Sequence, residues 1–225
     1  RALGFTDVGG TEHLVEYDDF GRPTVQKSGS VIVTSEYDPA GRVHIITTLD
    51  TEKNKSLQQT LSYDAFGREL KRTWLSNGSG SDQATAQTLT YTGRDKVASR
   101  RWEMADVLRS DEHYTYDLRG RLLTTSASGP DAPLDKRTGK RIRQQMFTLN
   151  DLDGYQQLET TYADNTRNTM TFTYDDFAPD RPISIIHRGV QDIDIDLAWD
   201  VAGRLKTERH NGVLYRQLEW DSNGR

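Results

Sequence analysis

The stretch YDPAGR at residues 37–42 decides the fold of this chain. Asp38 and Gly41 occupy the first and fourth positions of a four-residue turn, and Pro39 occupies the second, which is the pattern of a type I β-turn. The Asp carboxylate can accept backbone N–H groups, and the Gly can adopt the left-handed conformation that forms a G1 bulge. The stretch therefore predicts the tip of a β-hairpin.

The same motif, an aromatic residue followed by Asp-x-x-Gly-Arg, recurs six times along the chain. A motif with four specified positions recurs here more often than the composition alone would produce. Such periodicity is the signature of a repeat protein. We therefore predict a structural role in a repeated turn for the specified residues. They are Tyr17, Asp18, Gly21, Arg22, Tyr37, Asp38, Gly41, Arg42, Tyr63, Asp64, Gly67, Arg68, Tyr116, Asp117, Gly120, Arg121, Trp199, Asp200, Gly203, Arg204, Trp220, Asp221, Gly224 and Arg225.

Three further segments match the motif only in part. Residues 91–94 keep the aromatic, residues 150–154 keep Asp and Gly, and residues 174–177 keep the initial Tyr-Asp. With these included, successive motifs begin 20, 26, 28, 25, 34, 24, 25 and 21 residues apart. This spacing predicts a repeat protein with insertions of variable length.

The residues that flank the turns alternate as in β-strands. An apolar residue commonly stands two positions before the aromatic, as Val15 and Leu61 do, and a period of two places both side chains on one face. The aromatic and the Arg of one motif flank its turn, so we expect them to be cross-strand neighbours with a modest cation–π attraction. The predicted fold class is all-β, with repeated antiparallel hairpins in a long curved or spiral sheet over residues 1–225. We expect no internal domain boundary, and loops at 76–82 and 126–139.

The composition limits the classes of function. Apolar residues make up 34% of the chain, which is lean for a globular core, whereas ten Tyr, six Phe and four Trp argue against disorder. A net charge of −5 argues against a nucleic-acid partner, and the absence of Cys excludes disulfides and thiolate chemistry. No stretch is long and apolar enough to span a bilayer, and no signal peptide or initiator Met is visible. We therefore expect a fragment of a longer protein, without membrane insertion.

The repeated motif resembles that of the RHS/YD-repeat family, and the resemblance covers essentially the whole chain. The segments 126–139, 141–147 and 168–174 look like parts of the shell region in the B and C subunits of bacterial insecticidal toxin complexes and related polymorphic RHS toxins. The resemblance implies hairpins that spiral around a cavity in which a C-terminal toxic polypeptide is held until delivery. The chain lacks the family's Asp-, Pro- and Gly-rich core segment with self-cleaving aspartates. The resemblance therefore implies a shell role and no protease role.

The leading hypothesis is a structural segment of an RHS-repeat shell that encapsulates and shields a C-terminal toxin polypeptide. Its expected partners are the rest of the shell, the enclosed polypeptide and other toxin-complex subunits, and its expected location is secreted or delivered outside a bacterial cell. The alternative is an extracellular adhesion or carbohydrate-binding module, in which aromatics outside the motifs, such as Trp74 and Trp102, stack on sugars. A third class, a hydrolase, has no matching constellation in the sequence.

Other polar side chains offer alternatives to a purely structural role. Asp192, Asp194 and Asp196 alternate on one strand face and could hold a metal, but a solvated strand accounts for them as well. The five His lack the spacing of a zinc site. The basic cluster at residues 136–143 could contact phosphate or an acidic partner, although a solvated loop is the simpler interpretation. The sequence thus predicts a protein that is not an enzyme, without cofactor or metal ligand.

Overall fold

The protein is all-β, as the sequence predicts. A computed structural model describes residues 4–77, 84–221 and 224, and every regular element within them is a β-strand. Strands that are joined by a motif turn pair in antiparallel fashion. The described residues contain no helix with the length and hydropathy needed to cross a membrane.

The chain divides into two compact units, Arg1–Asp111 and Glu112–Arg225, and β10 (Val107–Tyr116) runs across the division. The prediction of one repeat segment over residues 1–225 stays a prediction, because compactness alone does not show where a domain ends. The first unit contains β1 (Gly4–Thr6), β2 (Glu12–Tyr17), β3 (Pro23–Ser28), β4 (Val31–Tyr37), β5 (Val43–Asp50), β6 (Lys55–Tyr63), β7 (Glu69–Asn77), β8 (Ala84–Tyr91) and β9 (Val97–Met104). The second contains β11 (Leu122–Ser128), β12 (Leu134–Asp135), β13 (Lys140–Leu149), β14 (Tyr155–Tyr162), β15 (Arg167–Tyr174), β16 (Pro182–Gly189), β17 (Ile193–Trp199), β18 (Leu205–His210) and β19 (Val213–Gln217).

The hairpin tips have the geometry that their sequence favours. In the tip between β4 and β5, the Asp38 N–H donates to the Arg42 carbonyl at 2.8 Å, and the Gly41 N–H donates to the Asp38 carbonyl at 2.9 Å. Gly41 has a φ of +84°, a left-handed conformation that most residues avoid. The strand register shifts by one residue between Glu36 and Tyr37, which marks the bulge. The antiparallel hairpin prediction is confirmed.

Both predicted loops include residues that belong to strands. Ser76 and Asn77 belong to β7, where they pair with Leu57 and Ser56 of β6, and residues 78–83 lie outside the described residues. The stretch 126–139 contains the end of β11 and the short strand β12. Strand pairing supplies partners for these backbone groups, and this tertiary effect overrides the local turn-forming composition.

The units have little sealed core. Among the described residues, the buried apolar side chains are Leu61, Ala132, Tyr162 and Ile195. Most other strand positions are half-buried or exposed, and in β2 the two classes alternate along the strand. Because little apolar area is fully removed from water, the structure depends strongly on strand pairing and on contacts between neighbouring hairpins.

A close backbone approach at the end of β16 can be tested by substitution. A Cβ on Gly189 would lie 2.2 Å from the Arg167 carbonyl oxygen, and its φ of +125° is unfavourable for other residues. We expect Gly189→Ala to lower the free energy of unfolding by about 3 kcal/mol, measured by urea denaturation.

The matched control is Gly139→Ala. Gly139 also has a positive φ, +70°, but a Cβ there would meet no atom within 4 Å. Only backbone strain should remain, with a cost of about 1 kcal/mol. Equal costs for the two variants would contradict the importance of the close approach.

Candidate functional site: the staple between successive motifs

Each motif Asp holds its own turn closed. Asp64 Oδ1 accepts the backbone N–H groups of Phe66 at 2.8 Å and Arg68 at 2.9 Å, while Oδ2 accepts Arg68 Nε at 2.7 Å. This carboxylate therefore spans the turn and fixes the guanidinium at the same time. The bonds from the Arg backbone N–H and Nε recur at Asp18, Asp38, Asp117 and Asp200.

These contacts favour the ionised carboxylate. The backbone hydrogen bond from Arg is the largest influence on Asp38, Asp117 and Asp200 and lowers the pKa of each, against an opposing effect of desolvation. At Asp18 and Asp64, desolvation is the largest influence and acts to raise the pKa. The bonds from Arg outweigh it, so the pKa is lowered there too. All five turns therefore hold charged Asp at neutral pH.

The guanidinium lies over the aromatic ring of the following motif. Arg42 Cζ is 4.6 Å from the centroid of the Tyr63 ring, which is within the range of a cation–π contact. The expectation that the Arg packs on the aromatic of its own motif is therefore wrong for Arg42, and likewise for the three Arg residues named at the end of this paragraph. The reason is that the Asp bond points the guanidinium across the sheet, toward the next hairpin. The same contact joins Arg22 to Tyr37 at 4.3 Å, Arg68 to Tyr91 at 4.4 Å and Arg204 to Trp220 at 5.7 Å.

The polar tip of the ring returns a hydrogen bond to the preceding motif. Tyr63 Oη donates to the carbonyl of Val43, the residue directly after Arg42, at 2.6 Å. We call this unit, in which an Asp-bound Arg lies over the next ring and that ring donates to the carbonyl after the Arg, the staple. The ring bond recurs from Tyr37 to Pro23, Tyr91 to Glu69, Tyr174 to Tyr155, Trp199 to Pro182 and Trp220 to Leu205, at 2.7–2.9 Å. Trp replaces Tyr because both end in a donor.

Two staples have an additional aromatic layer. Arg22 Cζ lies 5.0 Å from the Phe20 ring, and Arg68 Cζ lies 5.1 Å from the Phe66 ring. These Phe residues precede the motif Gly and are largely exposed, at 82% and 83%. The guanidinium thus contacts one ring of its own turn and one ring of the next motif. This arrangement gives an exposed Phe at a turn tip a packing partner.

The degenerate motif at residue 91 uses a shifted set of residues. Thr92 takes the Asp position, since its Oγ1 accepts the N–H groups of Arg94 and Lys96 at 3.2 Å. Asp95, with a φ of +60°, takes the Gly position, so Gly93 and Arg94 do not serve as the motif Gly and Arg. Asp95 also pairs with Arg68 Nη1 at 2.5 Å. The feature of the sequence that indicates this shift is an Asp at the position where the turn requires a left-handed residue, because Asp tolerates that conformation.

The motif at residue 150 is shifted in the same way. Asn150 Oδ1 accepts the N–H groups of Leu152 and Gly154, and Asp153 takes the Gly position with a φ of +67°. Asp151 and Gly154, which match the Asp and Gly of the motif in sequence, therefore occupy other positions in the turn. Arg121 Nη1 reaches this turn at the Asn150 carbonyl and at Asp153 Oδ1, both at 2.8 Å.

The third degenerate motif has a longer loop. The Asp175 N–H donates to the Arg181 carbonyl at 3.0 Å, so these two positions are six apart in sequence, whereas the corresponding positions are four apart in the other motifs. A further turn that the motif search missed spans Asp7 to Thr11, where Asp7 Oδ1 accepts the N–H groups of Gly9 and Thr11. In the sequence, this turn is indicated by the Asp-x-x-Gly spacing of Asp7 and Gly10, although the aromatic and the Arg of the motif are absent.

The remaining motif residues lie at the predicted turns or strand ends. Tyr17 and Tyr116 end β2 and β10. The Gly224 N–H donates to the Asp221 carbonyl at 3.0 Å and Gly224 has a φ of +75°, while Arg225 lies outside the described residues.

The other candidates from the sequence have protein partners of their own. Trp74 and Trp102 stack on each other, with ring centroids 5.3 Å apart and planes 15° from parallel. Asp194 pairs with Arg188, and Asp192 Oδ1 accepts the Gly189 N–H. In the described ranges, no group of three His, Asp or Glu side chains is placed to hold a metal.

The basic cluster at residues 136–143 also has partners within the protein. Lys140 pairs with Asp164, Arg141 donates to the Ala132 carbonyl, and Arg143 donates to Asn165.

Comparisons with known proteins add little to this description. No family model matches the chain, and no curated protein matches it. Among solved structures, a porin-like protein from Bacteroides uniformis is similar over 89% of this chain and 88% of its own, with 12% identity and a TM-score of 0.34.

The ring hydrogen bond of one staple can be removed alone. Tyr63→Phe keeps the ring under Arg42 but deletes the donor to Val43. We expect the free energy of unfolding to fall by about 1 kcal/mol in urea denaturation. Tyr215→Phe, at a Tyr that is 66% exposed, is the control and should change it by less than about 0.5 kcal/mol. No loss in Tyr63→Phe would show that this bond does not stabilise the staple.

The charge of the motif Asp can be tested by acid. Because the folded pKa of Asp38 is lowered, its contribution is complete above the unfolded value of about 3.9 and is lost as pH falls through the lower folded value. Asp38→Asn keeps an oxygen acceptor for the turn, as Asn150 does, but removes the charge. We expect the variant to be less stable than the wild type at neutral pH, and the difference to shrink below about pH 4.

Urea denaturation over a series of pH values measures this difference. The control is Asp19→Asn, which removes one negative charge from an exposed position in the first motif turn without removing the turn acceptor. A stability difference for Asp38→Asn that is the same in acid as at neutral pH would contradict the role of the ion pair.

Proposed function

We propose that this chain is a structural segment of an RHS-repeat shell that encloses and shields a C-terminal toxin polypeptide for delivery to target cells. The observation that supports the proposal is the staple, which joins one hairpin to the next by the same contacts at successive motifs. A wall that is built from one repeated joint can extend by the addition of hairpins. Extension of this kind is what a large enclosure requires.

The surface chemistry suits a container. Few side chains are sealed from water, and the strands carry many Thr, Ser and charged residues. Polar side chains of this kind on the wall limit the adhesion of an enclosed polypeptide, so the cargo can leave. The proposal assigns the chain a mechanical role, which is exclusion of proteases and solvent, and no catalytic residue or cofactor.

The partners follow from the same proposal. They are the rest of the shell, the enclosed polypeptide and other subunits of a toxin complex, in a bacterial protein that is secreted or delivered outside the cell. Nucleic acid and membrane lipid are not among them. The net charge of −5 agrees with the first of these exclusions.

Limited proteolysis of the longer protein that the proposal requires is the direct test. Its C-terminal segment, followed by mass spectrometry, is expected to survive digestion while the shell is native and to be lost after mild denaturation. Immediate digestion under native conditions would contradict encapsulation.

Weakened staples sharpen this test. In Arg42→Ala/Arg68→Ala, two successive rings lose the guanidinium above them, so protection of the segment should be lost at a lower denaturant concentration than in the wild type. Val201→Ala, at a fully exposed turn tip, is the control and should leave protection unchanged. Equal protection in both variants would show that the staples do not hold the wall together.

A further inference from the structure

The second unit contains a small polar cavity that the staple does not involve. It has a volume of about 270 Å³ and is lined by residues of β12 to β16 and the loop after β16. Ile142, Leu158 and Met170 form the apolar part of its wall. Tyr162 and His187, which are 1% and 5% exposed, contribute to the polar part. We call it the Tyr162 cavity.

Two acceptors in this wall have no donor. His187 Nε2 and Gln191 Oε1 are both buried atoms without a hydrogen-bond partner in the described part of the chain. Buried polar atoms in folded proteins almost always have a partner, so such an orphan calls for one that the chain itself does not supply.

The hydrogen bonds of Asn168 define which His187 nitrogen carries the proton. The Asn168 amide is satisfied when its Nδ2 donates to the carbonyls of Gln191 at 3.2 Å and Arg188 at 3.3 Å. The amide atom 3.5 Å from His187 Nδ1 is then the oxygen, so Nδ1 carries the proton. Nε2 therefore keeps a lone pair, and the missing partner must be a donor.

The charges around the cavity favour a neutral partner. Burial lowers the pKa of His187, with a further contribution from Arg137, so the imidazole is uncharged at neutral pH. Asp135 is already engaged, because Tyr162 Oη donates to its Oδ2 at 2.6 Å and the Arg137 N–H donates to its Oδ1 at 2.9 Å. Burial, followed by the hydrogen bond to Asp135, raises the pKa of Tyr162 to about 12. A cation would find no free carboxylate. Arg137 also lines the cavity, but an anion there would face the two acceptors as well.

We propose that the Tyr162 cavity binds a small neutral polyol, a monosaccharide or the terminal sugar of a glycan. Sugar hydroxyls can donate to His187 Nε2 and Gln191 Oε1. The C–H face of the ring can pack against Leu158 and Met170. The volume lies just below the range of about 300–1,000 Å³ for drug-sized ligands, which suits a single sugar ring. This inference is independent of the encapsulation proposal.

The test is calorimetric titration of the whole chain with D-glucose, D-galactose and N-acetyl-D-glucosamine. At least one is expected to bind saturably. His187→Phe and Gln191→Leu each remove one acceptor and should raise the Kd about tenfold or more. Gln191 lies in a loop, so its variant keeps the test decisive if His187→Phe does not fold. The control is His44→Phe in the first unit, where the His44 side chain forms a hydrogen bond with the Leu61 carbonyl. The Kd of this variant for the sugar should equal that of the wild type.

The same sugars presented at the ends of immobilised glycans distinguish the two sources. Binding of the glycans but not of the free sugars identifies a glycan terminus, and binding of the free sugars alone identifies a monosaccharide. The proposal is overturned if no sugar binds in either form, or if binding survives both variants. It is also overturned if L-argininamide, a cation, binds through the same two residues instead.

Discussion

The structure depends on where each motif Arg is held. The Asp of its own turn fixes the guanidinium through Nε, so the planar face is left to contact a ring and the turn cannot open without breaking an ion pair. Arg is suited to this position because its fork of donors can bond a carboxylate while its face stacks on an aromatic. Lys could satisfy the charge but not the geometry. One side chain thus connects the local turn to the neighbouring hairpin.

This connection compensates for a thin core. Hairpins alone are marginally stable, and among the described residues only a few side chains are buried deeply enough to contribute as a globular core does. The staple places a half-buried ring, an ion pair and a hydrogen bond at each joint. Individually these contacts are modest, but the complete staple recurs at four of the motif junctions in the described residues, and each depends only on its neighbours. Stability of this kind grows with the number of hairpins rather than with the volume of a core.

The sequence predicted the hairpins because turn chemistry is local. Asp38, Pro39 and Gly41 specify the tip whatever lies beside it. The partner of Arg42 could not be predicted, because a period of two gives the face on which a side chain lies but not the neighbouring strand that it meets. The tip at residue 92 was misaligned because Asp and Asn tolerate a left-handed φ nearly as Gly does, so the motif can lose its Gly and keep its shape. The unpartnered acceptors of the Tyr162 cavity have no sequence signal, since they arise where residues of five strands converge.

In the described ranges, the staple lies at one end of the hairpins, and this has a consequence for how such a chain can change. The opposite ends are closed by unrelated turns, such as the left-handed pair Ala105–Asp106 and the pair Asn211–Gly212. Insertions and deletions at those ends leave the joints intact, which accounts for repeat lengths from 20 to 34 residues. For protein engineering, these turns are the permissive sites for grafting epitopes, tags or reactive handles. The motif tips that hold an Asp-bound Arg, whose neighbours depend on their geometry, are not.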